Sequence, residues 1–378
     1  MPWGTLTELA KRSVWEINMS IEEIQEREEK NVEFNNKRWQ TDLRNRPGLE
    51  DCQFPASSEI AIGGTYEQAT IMMTEKGLNA NMQDNDAAFE AWALALLLHC
   101  NVRTVKIGMG STPGSGPHYE RFLYRLKRFS ELLPDLVKAD WPVGPRALEI
   151  TEKKRLLNQP NERYDPPNEE LEKRMLAASA AAPSESVLEK ALEVSHAFLE
   201  HFNLDKVMRQ WPVGLFDGLI AKGSEIFTGR KSAIDLIGTR GKTLVLFELK
   251  KAGNRQAGAV SELLFYANVM RDAIGNDPRF EYAPKGARKG CAISPEDVNG
   301  CSAICGVLLG SPRNLDTGAK TGTGFHPLIA EPSMFQALNA ATKRLYVDRP
   351  IHFEMAEITK YPHNGCGDFE FSHAPSNN

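Results

Sequence analysis

Residues 233–250 read Ala-Ile-Asp-Leu-Ile-Gly-Thr-Arg-Gly-Lys-Thr-Leu-Val-Leu-Phe-Glu-Leu-Lys. Two apolar runs flank a short polar turn, and three charges interrupt them: Asp235, Glu248 and Lys250. The β-branched and aromatic content of Thr243 to Leu249 predicts a buried strand. Thr239-Arg-Gly-Lys242 is glycine-containing turn punctuation, so the pattern predicts a hairpin. Side chains on a strand alternate faces, which puts Leu246, Glu248 and Lys250 on one side. With the turn centred near Arg240-Gly241, Asp235 faces Leu246 and joins them. A slip of one residue would move it to the other face.

A lone carboxylate is costly to bury, so two of them beside a lysine in a strand core need a reason. Two carboxylates on one face make a hard oxygen site suited to Mg²⁺ or Mn²⁺. Such an ion lowers the pKa of a bound water and neutralises charge developing on a phosphate. Lys250 supplies a point charge that can hold the attacking water or the scissile phosphate. The plainer alternative is a buried ion cluster with no chemistry. Buried ion pairs give little net stability, which argues against keeping one for that purpose alone.

Flanking segments extend the pattern. Ala257 to Ile274 has the apolar spacing of a helix, and Glu262 and Tyr266 share a face of it at i, i+4. Ser302 to Leu309 reads as a buried strand, Pro332 to Arg344 as a helix, and Arg349 to Ile358 as an alternating edge strand. Upstream, Ser184 to Phe202 reads as one amphipathic helix capped by Ser184. Its buried stripe is Leu188, Leu192, Ser195, Leu199 and Phe202, with Glu185, Glu189, Glu193 and Glu200 beside it.

This order of elements resembles the PD-(D/E)XK nuclease superfamily from about Glu185 to Leu309. The matching residues are Asp235, the Glu248-Leu-Lys250 triplet, and the Glu262/Tyr266 helix, which is similar to the Q/E-x-x-x-Y motif of several members. The Pro-Asp dipeptide is absent, because Ile234 precedes Asp235. The resemblance implies an α/β fold: a restriction-endonuclease-like core whose central mixed sheet is flanked by helices. It implies a catalytic set of Asp235, Glu248, Lys250 and a first-helix glutamate. Asp235 and Glu248 would bind Mg²⁺ or Mn²⁺, and Lys250 would assist the nucleophilic water. Glu189 is the favoured glutamate; Glu185 is comparably placed, and Glu193 and Glu200 stay open. Tyr266 and Glu262 would sit near substrate. The implied activity is hydrolysis of nucleic-acid phosphodiesters, DNA before RNA, with a homodimer where both strands are cut. The alternative is a non-catalytic nucleic-acid-binding or assembly module on the same core.

The chain carries a net charge of −5, so it lacks a strongly basic footprint. Locally, eight basic residues against three acidic lie between Lys222 and Arg255. Lys231, Lys251 and Arg255 among them are candidate phosphate contacts around the site. The longest apolar run, Ala91 to Leu98, is eight residues and far short of the ~20 that span a bilayer. With no secretory pattern at its start, the expectation is a cytoplasmic protein without a membrane partner. Six cysteines form no CxxC pair, and no HExxH occurs, so a zinc site is disfavoured. Cys301 and Cys305 read as buried thiols on one strand.

The expected domains are 1–150, α-rich α/β and of unassigned role; 151–183, a Pro-, Glu- and Lys-rich linker; and 184–378, the nuclease-like domain. The glycine-rich 108–117 lacks a phosphate-loop ending and reads as a turn. His118 to Lys138 reads as a helix whose Arg121, Arg125, Lys127 and Arg128 interleave with Phe122, Tyr124 and Phe129 and face solvent in preference to nucleic acid or an oligomer partner.

Overall fold

The computed structural model describes residues 34–46, 49–50, 52, 54–110, 114–139, 145–159, 168–170, 183–227, 232–251, 256–282, 291–310, 332–362 and 368–373. The chain divides into two compact units. The first is Met1–Ile150 with Gln256–Ser261 and Pro327–Ala341; the second is Thr151–Arg255, Glu262–His326 and Thr342–Asn378.

The first unit holds α1 (Asn36–Arg44), β1 (Ile60–Gly64), β2 (Gln68–Met73), α2 (Phe89–His99), β3 (Thr104–Met109), α3 (Pro117–Leu132) and β4 (Val137–Ala139). The strands form one sheet in the order β1-β2-β3-β4, antiparallel at β1–β2 and parallel beyond. Helix α2 is apolar nearly all round and correspondingly buried. The arginines of α3 depart from expectation. Arg121, Arg125 and Arg128 are buried rather than solvent-facing. Arg125 Nε donates to Glu90 Oε1 at 2.8 Å, and its guanidinium lies 4.8 Å from the Phe89 ring centroid. The Ser261 hydroxyl adds a 2.8 Å hydrogen bond to Glu90 Oε2. Charge interleaved with aromatics looks like a solvated face in sequence, but a planar guanidinium that finds a carboxylate and a ring can be buried.

The second unit is an α/β assembly with two sheets. Its elements are β5 (Arg155–Leu157), α4 (Glu185–Glu193), α5 (His196–His201), β6 (Lys206–Pro212), β7 (Leu215–Phe216), β8 (Ala233–Arg240) and β9 (Thr243–Lys250). They continue with α6 (Gly258–Ala273, whose first residues belong to the other unit), β10 (Phe280–Tyr282), β11 (Ala303–Gly310), α7 (Pro332–Leu345, of which only Thr342 onward belongs to this unit), β12 (Ile351–Lys360) and β13 (Glu370–His373). A small sheet runs β10-β5-β7, so part of the segment expected as linker is a strand. The main sheet has six strands in the order β13-β12-β11-β9-β8-β6. It is mixed: β9, β11 and β12 are parallel, while β6–β8, β8–β9 and β12–β13 are antiparallel. Strand β12 is therefore not an edge. β13, Glu-Phe-Ser-His, covers it, and so short a polar run carries little strand signal. Cys305 lies on β11 and Cys301 just before it; both are buried.

The single helix expected over Ser184–Phe202 is two. Ser184 caps α4, its hydroxyl accepting the Val187 N–H at 3.4 Å, and Ser195 caps α5, accepting the Phe198 N–H at 3.1 Å. Ser195 is thus a helix start and not part of a buried stripe, because its side chain competes for backbone N–H groups. The break sends Phe198 and Phe202 into the sheet beside Leu188 and Leu192 of α4. They pack on Leu236, Val245, Phe247, Leu249, Val307 and Leu309. Alternation leaves Leu246, Glu248 and Lys250 on the opposite face. There Gly306, paired with Leu246, admits the side chains of α6 and β12. A Cβ at Gly306 would meet Phe353 at 3.0 Å and Leu263 at 3.2 Å.

Phe247 is fully buried, with its ring centroid 4.9 Å from those of Phe198 and Phe202. Phe247→Ala is expected to cost about 3–5 kcal/mol in urea unfolding, the usual loss for emptying an aromatic core position.

Candidate active site

The β8–β9 hairpin closes at Gly241-Lys242, since Arg240 pairs with Thr243, and Gly241 supplies a φ of +57°. Its centre lies one residue later than expected. Leu246 faces Ile237, and the same register carried one step past Leu236–Phe247 sets Asp235 across from Glu248, not Leu246. The displacement is two residues, an even number, so the shared face is preserved. The ladder stops at Leu236–Phe247. Beyond it the Asp235 carboxylate takes over, with Oδ2 accepting the Leu249 N–H at 2.8 Å.

Three further side chains meet on this face. Glu248 and Glu262 are 2% and 1% exposed, and Lys250 is 9%. The Lys250 ammonium donates to Glu248 Oε1 and, at 3.1 Å, to Glu262 Oε2. The Tyr266 hydroxyl stands 3.4 Å from Glu262 Oε1 as donor. Glu262 and Tyr266 are both buried, and their hydrogen bonds lead back to Lys250. Glu248 Oε2 is buried and accepts no hydrogen bond.

One ammonium among several carboxyls cannot keep them all ionised in a dry core. Burial, with the charges of Glu189 and Glu262, pushes Asp235 up to about 8 against the pull of Lys250 and of the Leu249 N–H. Glu248 is driven well above the carboxylate range by burial and by the charges of Asp235 and Glu262. Burial alone would lower Lys250. The charges of Glu248, Glu262 and Asp235 outweigh it and hold the ammonium well above its ordinary value.

The four candidate glutamates upstream are placed differently. Glu189 on α4 is buried, accepts from Gln210 Nε2 at 2.6 Å, and is pushed up to about 7, chiefly by burial. It is also the one of the four whose charge acts on Asp235. Glu193 is occupied by Arg209, through the backbone N–H at 3.0 Å and the guanidinium at 3.1 Å. Glu185 Oε1 accepts the Lys251 N–H at 3.1 Å. Glu200 is exposed on α5.

The basic residues do not all gather here. Arg240 and Lys242 sit at the turn, at the far end of β9 from Lys250. At ~3.3 Å per residue that is roughly 25 Å away. Lys251 is exposed beside the site. Lys231 and Arg255, with Arg230, lie outside the described residues. Arg209 and Gln210 were not legible as site residues. They occupy a polar step of β6 next to β8, and nothing in Arg-Gln-Trp signals contact with α4.

Comparison with protein-family models, with curated proteins and with solved structures gives no match. Among the described residues no group of three or more His, Cys, Asp and Glu is set to hold a metal. The donor chemistry still fits a divalent ion in kind. Asp235 and Glu248 are hard oxygen donors on adjacent strands, one oxygen of Glu248 is an orphan, and both carboxyls are held above the usual carboxylate range.

Raised carboxyl pKa values stabilise the fold when the groups are protonated. That contribution is complete below the unfolded value near 4 and is lost as pH climbs through about 7 for Glu189 and about 8 for Asp235. In chelator, the melting temperature is expected to fall between pH 6 and 8.5. Asp235→Asn should flatten that slope in thermal scans; an unchanged slope would show that Asp235 is not the titrating group.

Proposed function

We propose that the chain is a metal-dependent nuclease of the PD-(D/E)XK type, acting on DNA in preference to RNA. The observation that carries this reading is the placing of Asp235, Glu248 and Lys250 on one face of the two central antiparallel strands, with the carboxylates short of positive charge. The order α4, β6, β8, β9, α6, β11 around a mixed sheet supports the same core.

Asp235 and Glu248 would hold Mg²⁺ or Mn²⁺, which supplies a Lewis acid and an acidified water when bound. Lys250 would supply a fixed positive charge for a scissile phosphate or its attacking water. Glu262 and Tyr266, both buried, would act through Lys250 by bracing its ammonium. Glu189, with a pKa near neutrality, is suited to proton transfer at working pH. Lys251, exposed at the end of β9, is placed for a backbone phosphate.

One observation favours a second reading, a non-catalytic nucleic-acid-binding or assembly module. Lys250 is already engaged by two carboxylates, a closed arrangement that needs no ligand. Titration calorimetry with Mn²⁺ separates the two. Nucleic-acid binding with no heat at millimolar Mn²⁺ would favour the module.

The purified full chain is expected to cut DNA in Mg²⁺ or Mn²⁺ and not in chelator. Asp235→Asn and Lys250→Met should each slow cutting by about a hundredfold or more, with circular dichroism reporting an intact fold. Equal cutting by the wild type and both variants would point to a contaminating enzyme and defeat the proposal.

A further inference from the structure

Three non-glycine residues among those described have positive φ: Asn101, Asn203 and Gln210. Asparagine tolerates the left-handed region because its short amide bonds to local backbone. Glutamine has no such ease, and Gln210 stands inside a strand with φ +54°. Pairing with β8 continues on both sides of it, Arg209 with Leu236 and Trp211 with Ile234. The step between them, where Gln210 meets Asp235, is not among the ladder pairs.

The distorted step changes where side chains point. Regular alternation would send Arg209 and Gln210 to opposite faces. Both instead reach α4: Arg209 to Glu193 at 3.1 Å and Gln210 to Glu189 at 2.6 Å. Trp211 then turns away, its indole N–H donating to the Tyr282 hydroxyl at 3.1 Å. The left-handed backbone is what delivers the amide to Glu189. Gln210 is itself exposed, so no buried apolar surface holds it in that conformation. Strain of this kind concentrates at functional sites.

We infer that Gln210 is a positioning residue of the site, whose strained backbone aims its side-chain amide at Glu189 and fixes the orientation of that carboxylate. The inference rests on the nuclease reading and adds to it the residue that orients the first-helix glutamate. The Nε2–H of Gln210 occupies Glu189 Oε2 and leaves Oε1 outside that hydrogen bond.

A positioning role and a merely structural one predict opposite couplings between stability and function. Gln210→Gly relieves the left-handed strain and removes the amide. Gln210→Asn also tolerates that backbone, but its amide falls short of Glu189 by one methylene. Each full-length variant would be melted, titrated with Mn²⁺ in a calorimeter, and assayed for DNA cutting across a range of Mn²⁺. Both should melt at or above the wild-type temperature, while Mn²⁺ affinity and cutting rate fall about tenfold. Affinity and rate within twofold of wild type would overturn the inference while leaving the nuclease reading standing. So would a melting temperature that falls in step with function. A wild type that neither binds Mn²⁺ nor cuts would overturn both.

Discussion

On one face of the six-stranded sheet, the buried ammonium of Lys250 meets the buried carboxyls of Glu248 and Glu262, and the charge of the half-buried Asp235 acts on it as well. A single positive charge cannot balance three negative ones in such a place, so protons, a cation or both must complete the set. The electrostatics follow this imbalance: the carboxyls of Asp235 and Glu248 are held high and the ammonium of Lys250 higher still. Removing one partner would leave an uncompensated buried charge, which is far costlier than never having built the pair.

The surrounding fold is arranged to keep that face narrow and fixed. Phe198, Phe202, Leu188 and Leu192 press on one side of β8 and β9, which pins the register and hence which side chains turn to the other. On that other side, Gly306 lets the α6 and β12 side chains come in close, and α6 brings Glu262 against Lys250. Where the β8–β9 ladder ends, the Asp235 side chain replaces a backbone acceptor for Leu249, so its carboxylate is held in place by backbone rather than by another side chain. Gln210 interrupts the β6–β8 ladder for one step at the same level, so the site lies where one ladder ends and its neighbour is broken.

Much of this was legible because it rests on period-two alternation and on the cost of burying charge. Asp235, Glu248 and Lys250 could be assigned to one face from sequence, and an error of two residues in register left that assignment intact. The i, i+4 spacing of Glu262 and Tyr266 likewise survived, although both proved to be buried behind Lys250. Other features depended on partners that no local pattern names. Ser195 interrupts a continuous amphipathic run because its hydroxyl caps a new helix. Arg125 is buried because Glu90, 35 residues earlier in the chain, meets it. Gln210 was invisible, since nothing in a polar strand step announces a positive φ. Basic residues clustered in sequence were separated by the length of a strand once the hairpin formed.

On the proposed nuclease reading, the charge imbalance at Asp235 and Glu248 is met by a divalent ion. The most direct measurement is diffraction from crystals of the full chain soaked in Mn²⁺, with an anomalous map at the manganese edge. A peak about 2.2 Å from oxygens of both Asp235 and Glu248 is expected. A map with no peak at these carboxylates, and with Lys250 still bound to Glu248 and Glu262, would contradict it.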